Sequence, residues 1–187
     1  MIKIEVTQKE YDLIMDLRKE RIIHKNEYVL SEDYAELIIR DKFYNEVCRV
    51  KIDIEEIEKI KDIRWYLGSH GYIMGHTSNK KNITLHKFLT ETGSKEYVDH
   101  INCDKLDNRK CNLRYATHQE NNWNKPSPKN NKSGHRGVRI RNKKYSAYIT
   151  INKKQIHLGT FNTFEEAVKE RLKAEKKYFG KYAYKGI

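Results

Sequence analysis

Between residues 99 and 124 an acid, an imidazole and two separated carboxamides, Asp99, His100, Asn112 and Asn121, recur at spacings that suit one metal-dependent phosphodiester site. Asp99 and Asn121 can offer oxygen atoms to a single hard divalent cation. Oxygen-only ligation favours Mg²⁺ or Mn²⁺ over zinc, because neither thiolates nor several imidazoles belong to the set. Two protein ligands leave room in the shell for water and a phosphate oxygen. His100, beside the carboxylate, can accept a proton from water, since neutral imidazole titrates near working pH. An isolated Asp-His pair in a turn is more often a local hydrogen bond than catalysis. Here the spacing decides: Asn112 lies twelve positions after His100, and Asn121 nine positions further on.

These side chains must be brought together by local elements. Val98-Asp99-His100-Ile101 reads as one strand and Asn112-Leu113-Arg114-Tyr115-Ala116 as another, joined by a polar loop with Asp104, Asp107 and Asn108. Thr117 with Glu120 three residues later forms a capping box that starts a helix carrying Asn121, Asn122 and Asn124. Strand, loop, strand and helix would set the end of the first strand beside the first turn of the helix. Cys103 and Cys111 flank the loop with seven residues between them, unlike the two to four of a zinc knuckle, so a zinc site is not expected. With Cys48 they read as reduced thiols of a cytoplasmic protein. His86, a core or phosphate-facing residue, and His118, an exposed first-turn residue, are left out of catalysis.

Upstream, Thr7 and Glu10 cap a predicted helix over residues 8–21. Tyr34 to Arg40 and Glu46 to Ile52 read as strands, and Asp53 with Glu56 should cap a short helix carrying Ile54, Ile57 and Ile60. Gly71 to His76 and Asn82 to Leu85 are strand-like, followed by a helical turn over Lys87 to Thr90. Residues 1–64 show no chemistry. No long apolar run suggests a membrane span or signal peptide in this chain of 187 residues with 34% charged content.

Charge is unevenly distributed. Residues 1–124 hold 21 Lys/Arg against 22 Asp/Glu, net −1, and residues 125–187 hold 17 against 4, net +13. Aromatic residues interspersed through the basic third argue for a folded module whose natural partner is a polyanion. The stretch from Lys125 to Gly134 has both prolines and no apolar residue, and reads as an extended tether between two units. Beyond it, Gly137 to Arg141, Tyr145 to Ile151 and Gln155 to Gly159 read as three antiparallel strands joined by Asn142-Lys143-Lys144 and Asn152-Lys153-Lys154. Thr163 and Glu166 then cap a helix whose Phe164, Ala167, Val168, Leu172 and Phe179 would cover one sheet face.

The segment from 34 to 125 resembles the HNH endonucleases of the ββα-metal class, particularly those of phages and group I introns. Asp99-His100 matches the family's Asp-His pair, Asn112-Leu113-Arg114 its central Asn segment, and Asn121 its last position, where many members have His. Ile83-Thr84-Leu85-His86-Lys87 is similar to a Leu-His-Arg segment, and Trp65-Tyr66-Leu67 before Gly71-Tyr72 to an upstream Trp and Gly-Tyr. The resemblance implies that His100 is the general base, that Asp99 and Asn121 hold one cation, that Asn112 keeps the loop in register, and that Arg114 meets DNA. The last third resembles the DNA-binding domain of the APETALA2 and ethylene-response-factor proteins. Arg136-Gly137-Val138-Arg139, Ala147, Leu158-Gly159-Thr160-Phe161 and Glu165-Glu166-Ala167 carry that likeness, with Tyr145 where the family has Trp. By it, Arg136, Arg139, Arg141, Tyr145 and Tyr148 would enter a major groove, and Lys143, Lys144, Lys153 and Lys154 would meet phosphates or solvent.

The expected fold class is α+β. A ββα-metal core spans 65–125, an N-terminal strand and helix region 1–64, and a linker 126–134 leads to a sheet-and-helix domain over 135–187. The expected function is site-specific, metal-dependent DNA cleavage of the homing type by a cytoplasmic monomer, encoded by a phage or mobile element in a bacterial host. Double-stranded DNA is the expected partner, with neither a membrane nor a small-molecule substrate. A DNA-binding regulator with an inert nuclease scaffold is the alternative. An RNA-binding intron helper is weaker, because no aromatic RNA-stacking motif is present.

Overall fold

The computed structural model describes residues 26–77, 79, 81–92, 97–128, 131 and 133–185. The helix expected over 8–21 lies outside them. Strands β1 (Glu27–Leu30), β2 (Ala35–Arg40) and β3 (Glu46–Ile52) form an antiparallel sheet in that order. In β2, Ala35, Leu37 and Ile39 are buried while their neighbours are partly exposed, the period of two that a one-sided strand requires. These side chains, with Val50 and Ile52 of β3, pack on Ile60 of helix α1 (Ile57–Ile60) and on Trp65 of β4 (Trp65–Leu67). Ile73 of β5 (Ile73–His76) and Leu85 and Leu89 of α2 (Leu85–Leu89) complete the core. With β6 (Asn82–Thr84), β4 and β5 make a second antiparallel sheet in the order β4-β5-β6. One core therefore runs across residues 64 and 65, the expected boundary between the N-terminal region and the nuclease core.

Next, β7 (Tyr97–His100) pairs antiparallel with β8 (Leu113–Ala116), setting Asp99 opposite Arg114 and His100 opposite Leu113. Helix α3 (His118–Trp123) follows, started by a complete capping box: Thr117 Oγ1 accepts from Glu120 N at 3.2 Å and Glu120 Oε2 accepts from Thr117 N at 2.7 Å. Asn112 sits in a 3-10 turn, Lys110–Asn112, and not in the strand itself. The expected capping by Asp53 and Glu56 does not occur. Asp53 accepts instead from the backbone N of Lys110 at 2.7 Å, and the buried Glu56 pairs with the Lys110 ammonium. Burial pushes the Glu56 carboxyl up, but its bonds to Lys110 and Lys59 outweigh this and hold it below its ordinary value. The end of β3 also grips the loop, since Lys51 N donates to Leu106 O and Asn108 N to Lys51 O, each at 2.8 Å. The N-terminal sheet is thus the wall against which the loop between β7 and β8 is built.

Strands β9 (Val138–Arg141), β10 (Lys144–Ile151) and β11 (Lys154–Phe161) form the last sheet, covered by α4 (Phe164–Tyr178). Both hairpins close with two-residue turns in which Asn142, Lys143, Asn152 and Lys153 have positive φ, the backbone that matches the strands' right-handed twist. Val138, Ala147, Ile149, Ala167, Ala174 and Phe179 are buried between sheet and helix. The helix face differs from the expected one: Leu172 is exposed, and the buried polar pair is Arg171 with Glu175, 2.9 Å apart, Arg171 also donating to Tyr148 O. At the described residues of the connector the backbone turns instead of running extended. Turns close from Asn131 N to Pro128 O and from Gly134 N to Asn131 O. Trp123 of α3 stacks on Phe179 with ring centroids 4.4 Å apart, and a 3-10 turn, Gly180–Tyr182, sends the Tyr182 hydroxyl to Tyr115 O at 3.0 Å. A polar connector says nothing about its flanks, and the aromatic side chains on either side dock. No helix among the described residues is long and apolar enough to cross a membrane.

Lys153 holds φ at +64°, a conformation that costs a side-chain-bearing residue about 1–2 kcal/mol relative to glycine. Lys153→Gly is therefore expected to stabilise the chain by about 1 kcal/mol and to raise Tm by roughly 2–4 °C in thermal unfolding.

Candidate active site

The loop from Ile101 to Asn112 is closed around the Asn112 carboxamide. Its Oδ1 accepts from Asn102 N at 3.0 Å, and its Nδ2 donates to Asp107 O at 2.7 Å and to Asn102 Oδ1 at 2.9 Å. The buried Asp107 carboxylate receives a two-pronged Arg109 guanidinium at 2.8 and 2.7 Å and Asn102 Nδ2 at 3.0 Å. Burial raises the Asp107 carboxyl, but the bonds and charge of Arg109 prevail and the net shift is downward. Removing any of these groups would strand a buried partner, at about 1–3 kcal/mol each.

That closure places His100. Ile101 N donates to Asn112 O at 2.8 Å and Cys103 N to His100 O at 2.9 Å, Cys103 taking a positive φ to make the turn. The imidazole is buried, with Nε2 3.3 Å from Asn108 Oδ1. Asn108 Nδ2 is already committed to Lys105 O at 3.1 Å, so its oxygen faces the ring. His100 Nε2 therefore carries the proton and Nδ1 keeps the free lone pair. Tyr72 and His86 flank the ring, the His86 centroid 5.1 Å from it and edge-on. Burial lowers the His100 pKa, against the opposing pull of Asn108 and the Asp99 charge, which keeps the imidazole neutral and able to accept. His86 is held neutral more strongly, its pKa pushed down to about 3 by burial first and by His100 and Lys87 after it.

Asp99, 4% exposed, is the other half of the site. Arg114 binds Oδ2 through Nε at 2.8 Å and through Nη2. Asn124 Nδ2 lies 3.2 Å from Oδ1 and 3.0 Å from Oδ2. The expected DNA role of Arg114 gives way to this pairing, which its place opposite Asp99 on the neighbouring strand dictates. The guanidinium is also held from the C-terminal unit, by Lys181 O and by the Tyr182 ring 4.6 Å away. Asn121 is half-buried in α3, three residues before Asn124, and among the described residues its carboxamide makes no side-chain hydrogen bond. Among the described residues no cluster of three His, Cys, Asp or Glu side chains could hold a metal. A carboxylate-poor, oxygen-only set suits a hard cation that keeps most of its water. Asp99 Oδ1, untouched by Arg114, and the buried Asn124 Oδ1, which has no hydrogen-bond partner among the described residues, are consistent with such an ion.

The residues assigned to DNA on the last sheet divide. Arg139 and Arg141 pair across to Ser146 and Lys144 and, with Tyr148, lie on the face turned away from α4. Arg139 stacks over Tyr148, 5.1 Å from its centroid. Tyr145 does not join them: two residues before buried Ala147, it points to the helix side and meets Phe164 edge-on at 5.9 Å. Arg136 is spent as well, donating to Asn122 O at 2.7 Å and to Lys125 O at 3.4 Å at the end of α3. Tyr72 and His86, from segments that carried the family resemblance, complete the site with Asn102, Asn108 and Asn124, whose spacing in the sequence marks no role for them. The one usable signal is the three-residue step from Asn121 to Asn124, which puts both carboxamides on one helix face.

A strand ending in Asp-His, a loop pinned on a buried Asn, a returning strand and a capped helix form a ββα unit with a buried acid beside a neutral imidazole. The family model described as HNH endonuclease matches residues 89–123, which is this unit. An uncharacterized HNH endonuclease of Acanthamoeba polyphaga mimivirus is 31% identical over 138 residues, covering 71% of this chain and 71% of the viral protein. The chain belongs to the HNH endonuclease family. No solved structure matches it.

The buried His86 has a consequence for stability. Its folded pKa of about 3 lies below the ordinary 6.5, so the unfolded chain binds the extra proton first as pH falls. Stability is complete above pH 6.5 and declines between 6.5 and about 3, at up to about 1.4 kcal/mol per pH unit from this group. Thermal unfolding across that window should show Tm falling on the acid side, with a shallower fall in His86→Phe.

Proposed function

We propose that the chain is a divalent-cation-dependent DNA endonuclease that hydrolyses phosphodiester bonds, with His100 as general base. The observation that carries this reading is a buried imidazole whose Nδ1 makes no hydrogen bond among the described residues, next to the buried Asp99 carboxylate within a ββα unit. His100 Nδ1 would take a proton from the attacking water while Asn108 keeps the proton on Nε2 and fixes the ring. Asn112 acts at one remove, by holding the loop that carries Asn102, Asp107 and the turn after His100. Asp99 and Asn121 would hold the cation, Mg²⁺ or Mn²⁺. When bound, such an ion neutralises charge on the phosphate and on the departing 3′ oxygen.

Binding to duplex DNA falls to the basic C-terminal unit in this reading. Arg139, Arg141 and Tyr148 on the open sheet face are the groove-reading candidates, and Lys143, Lys144, Lys153 and Lys154 at the hairpin ends of that sheet are the phosphate-binding ones. The likeness of this half to the APETALA2 domain, together with the phage and intron character of the nuclease motif, supports site-specific, homing-type cleavage.

A second reading, a DNA-binding regulator with an inert scaffold, draws on one observation: the Arg114 guanidinium occupies an oxygen of Asp99. Incubating the full chain with plasmid and Mg²⁺ separates the two. Cleavage that falls about 10²–10⁴-fold in His100→Ala is expected, and absence of cleavage in both proteins leaves the regulator. In gel-shift titrations, exchanging the four hairpin lysines for Gln is expected to flatten the plot of log affinity against log salt by about 0.9 for each phosphate no longer neutralised. A slope that does not change would move the DNA-binding surface to another face.

A further inference from the structure

We propose that Asn124 positions Asp99 for cation binding, its nitrogen fixing the carboxylate and its spare oxygen accepting from the water shell of the bound ion. This rests on the nuclease reading above. Asn124 closes α3 and is 3% exposed. Its Nδ2 lies among four oxygens: Asp99 Oδ1 at 3.2 Å, Asp99 Oδ2 at 3.0 Å, His100 O at 2.9 Å and Ile101 O at 3.2 Å. Two amide hydrogens shared by four acceptors link the helix end to the carboxylate and to the last two carbonyls of the Asp-His strand. Without them, four lone-pair-bearing atoms would face one another with little solvent to screen them.

The orientation of this carboxamide is fixed by the same neighbours, since turning it over would point Oδ1 at those four oxygens. Its backbone is tied down too, with Cys103 Sγ donating to Asn124 O at 3.1 Å. Oδ1 is then left buried with no hydrogen-bond partner among the described residues. A buried orphan acceptor is destabilising, and this one belongs to the group that touches both oxygens of Asp99. A hydrated divalent cation held by Asp99 would supply what is missing, a strongly polarised O–H donor beside the carboxylate. Asn fits the position for physical reasons. Ala leaves the oxygens unbridged, Asp adds a second negative charge against Asp99, and a longer amide cannot reach the same four atoms from the same backbone.

The test uses the full chain without DNA, so that its readout is not cleavage. Mn²⁺ binding would be titrated by the loss of the free-ion electron paramagnetic resonance signal, with unfolding followed in parallel. Wild type should bind Mn²⁺ and Asp99→Ala should lose that binding. Asn124→Ala should bind about 10–100-fold more weakly, the usual effect of removing a group that orients a metal ligand. Asn124→Asp should be less stable without cation and gain more in Tm on adding Mn²⁺ than wild type does. If Asn124→Ala does not fold, the Asp variant decides. Wild-type Mn²⁺ affinity in a folded Asn124→Ala, or a wild-type Tm gain in Asn124→Asp, would overturn the inference and leave the nuclease reading standing. Mn²⁺ binding that Asp99→Ala leaves unchanged would instead overturn the cation assignment itself.

Discussion

One buried negative charge organises this molecule. A carboxylate with almost no access to water is tolerated only where its oxygens are paired, and Asp99 draws its partners from two other elements. Arg114 comes from the facing strand and Asn124 from the end of the following helix. The register of β7 on β8 is what puts Arg114 opposite, and the capping box at Thr117 is what starts the helix so that Asn124, the residue capping its C-terminus, returns to the strand. The arginine in turn is held by a backbone carbonyl and an aromatic ring of the C-terminal unit. The electrostatics of the site thus reach across the whole second half of the chain.

The neighbouring imidazole is governed by the opposite rule. His100 and His86 are kept uncharged by burial, and they sit edge-on in a pocket that Tyr72 shares. A carboxylate paired with a guanidinium beside an imidazole that burial disfavours from charging is the division of labour that the proposed hydrolysis by an activated water would use. It arises from environment: Asp99 faces a guanidinium and an amide, whereas His100 faces rings and one amide oxygen.

Much of this was legible in the chain wherever the cause was local. Capping boxes at Thr117 and Thr163, Asn-Lys turns and alternating strands all depend on residues within four positions of one another, and the elements form where those signals stand. Signals of equal local strength misled where a distant partner outbid the near one. Asp53 and Glu56 have capping-box spacing but bind Lys110, more than fifty positions away, because the loop before Asn112 leaves a backbone N–H and an ammonium against them. Arg114, Arg136 and Tyr145 look like DNA-binding residues by type. Their faces were decided by strand pairing and by the docking of Trp123 on Phe179, which no spacing reveals. Asn124 escaped notice for the same reason, its four acceptors lying more than twenty positions back.

The clasp between the two halves has a geometric consequence. Ring stacking of Trp123 on Phe179, the Arg136 bonds to the end of α3 and the Tyr182 hydroxyl on Tyr115 tie the two halves together at three points. If a duplex is gripped on the open sheet as proposed, its backbone would meet His100 at one offset, and the interval between the bases read and the bond broken would act as a built-in ruler. Lengthening the proline-containing connector would add slack outside that ruler without moving its marks.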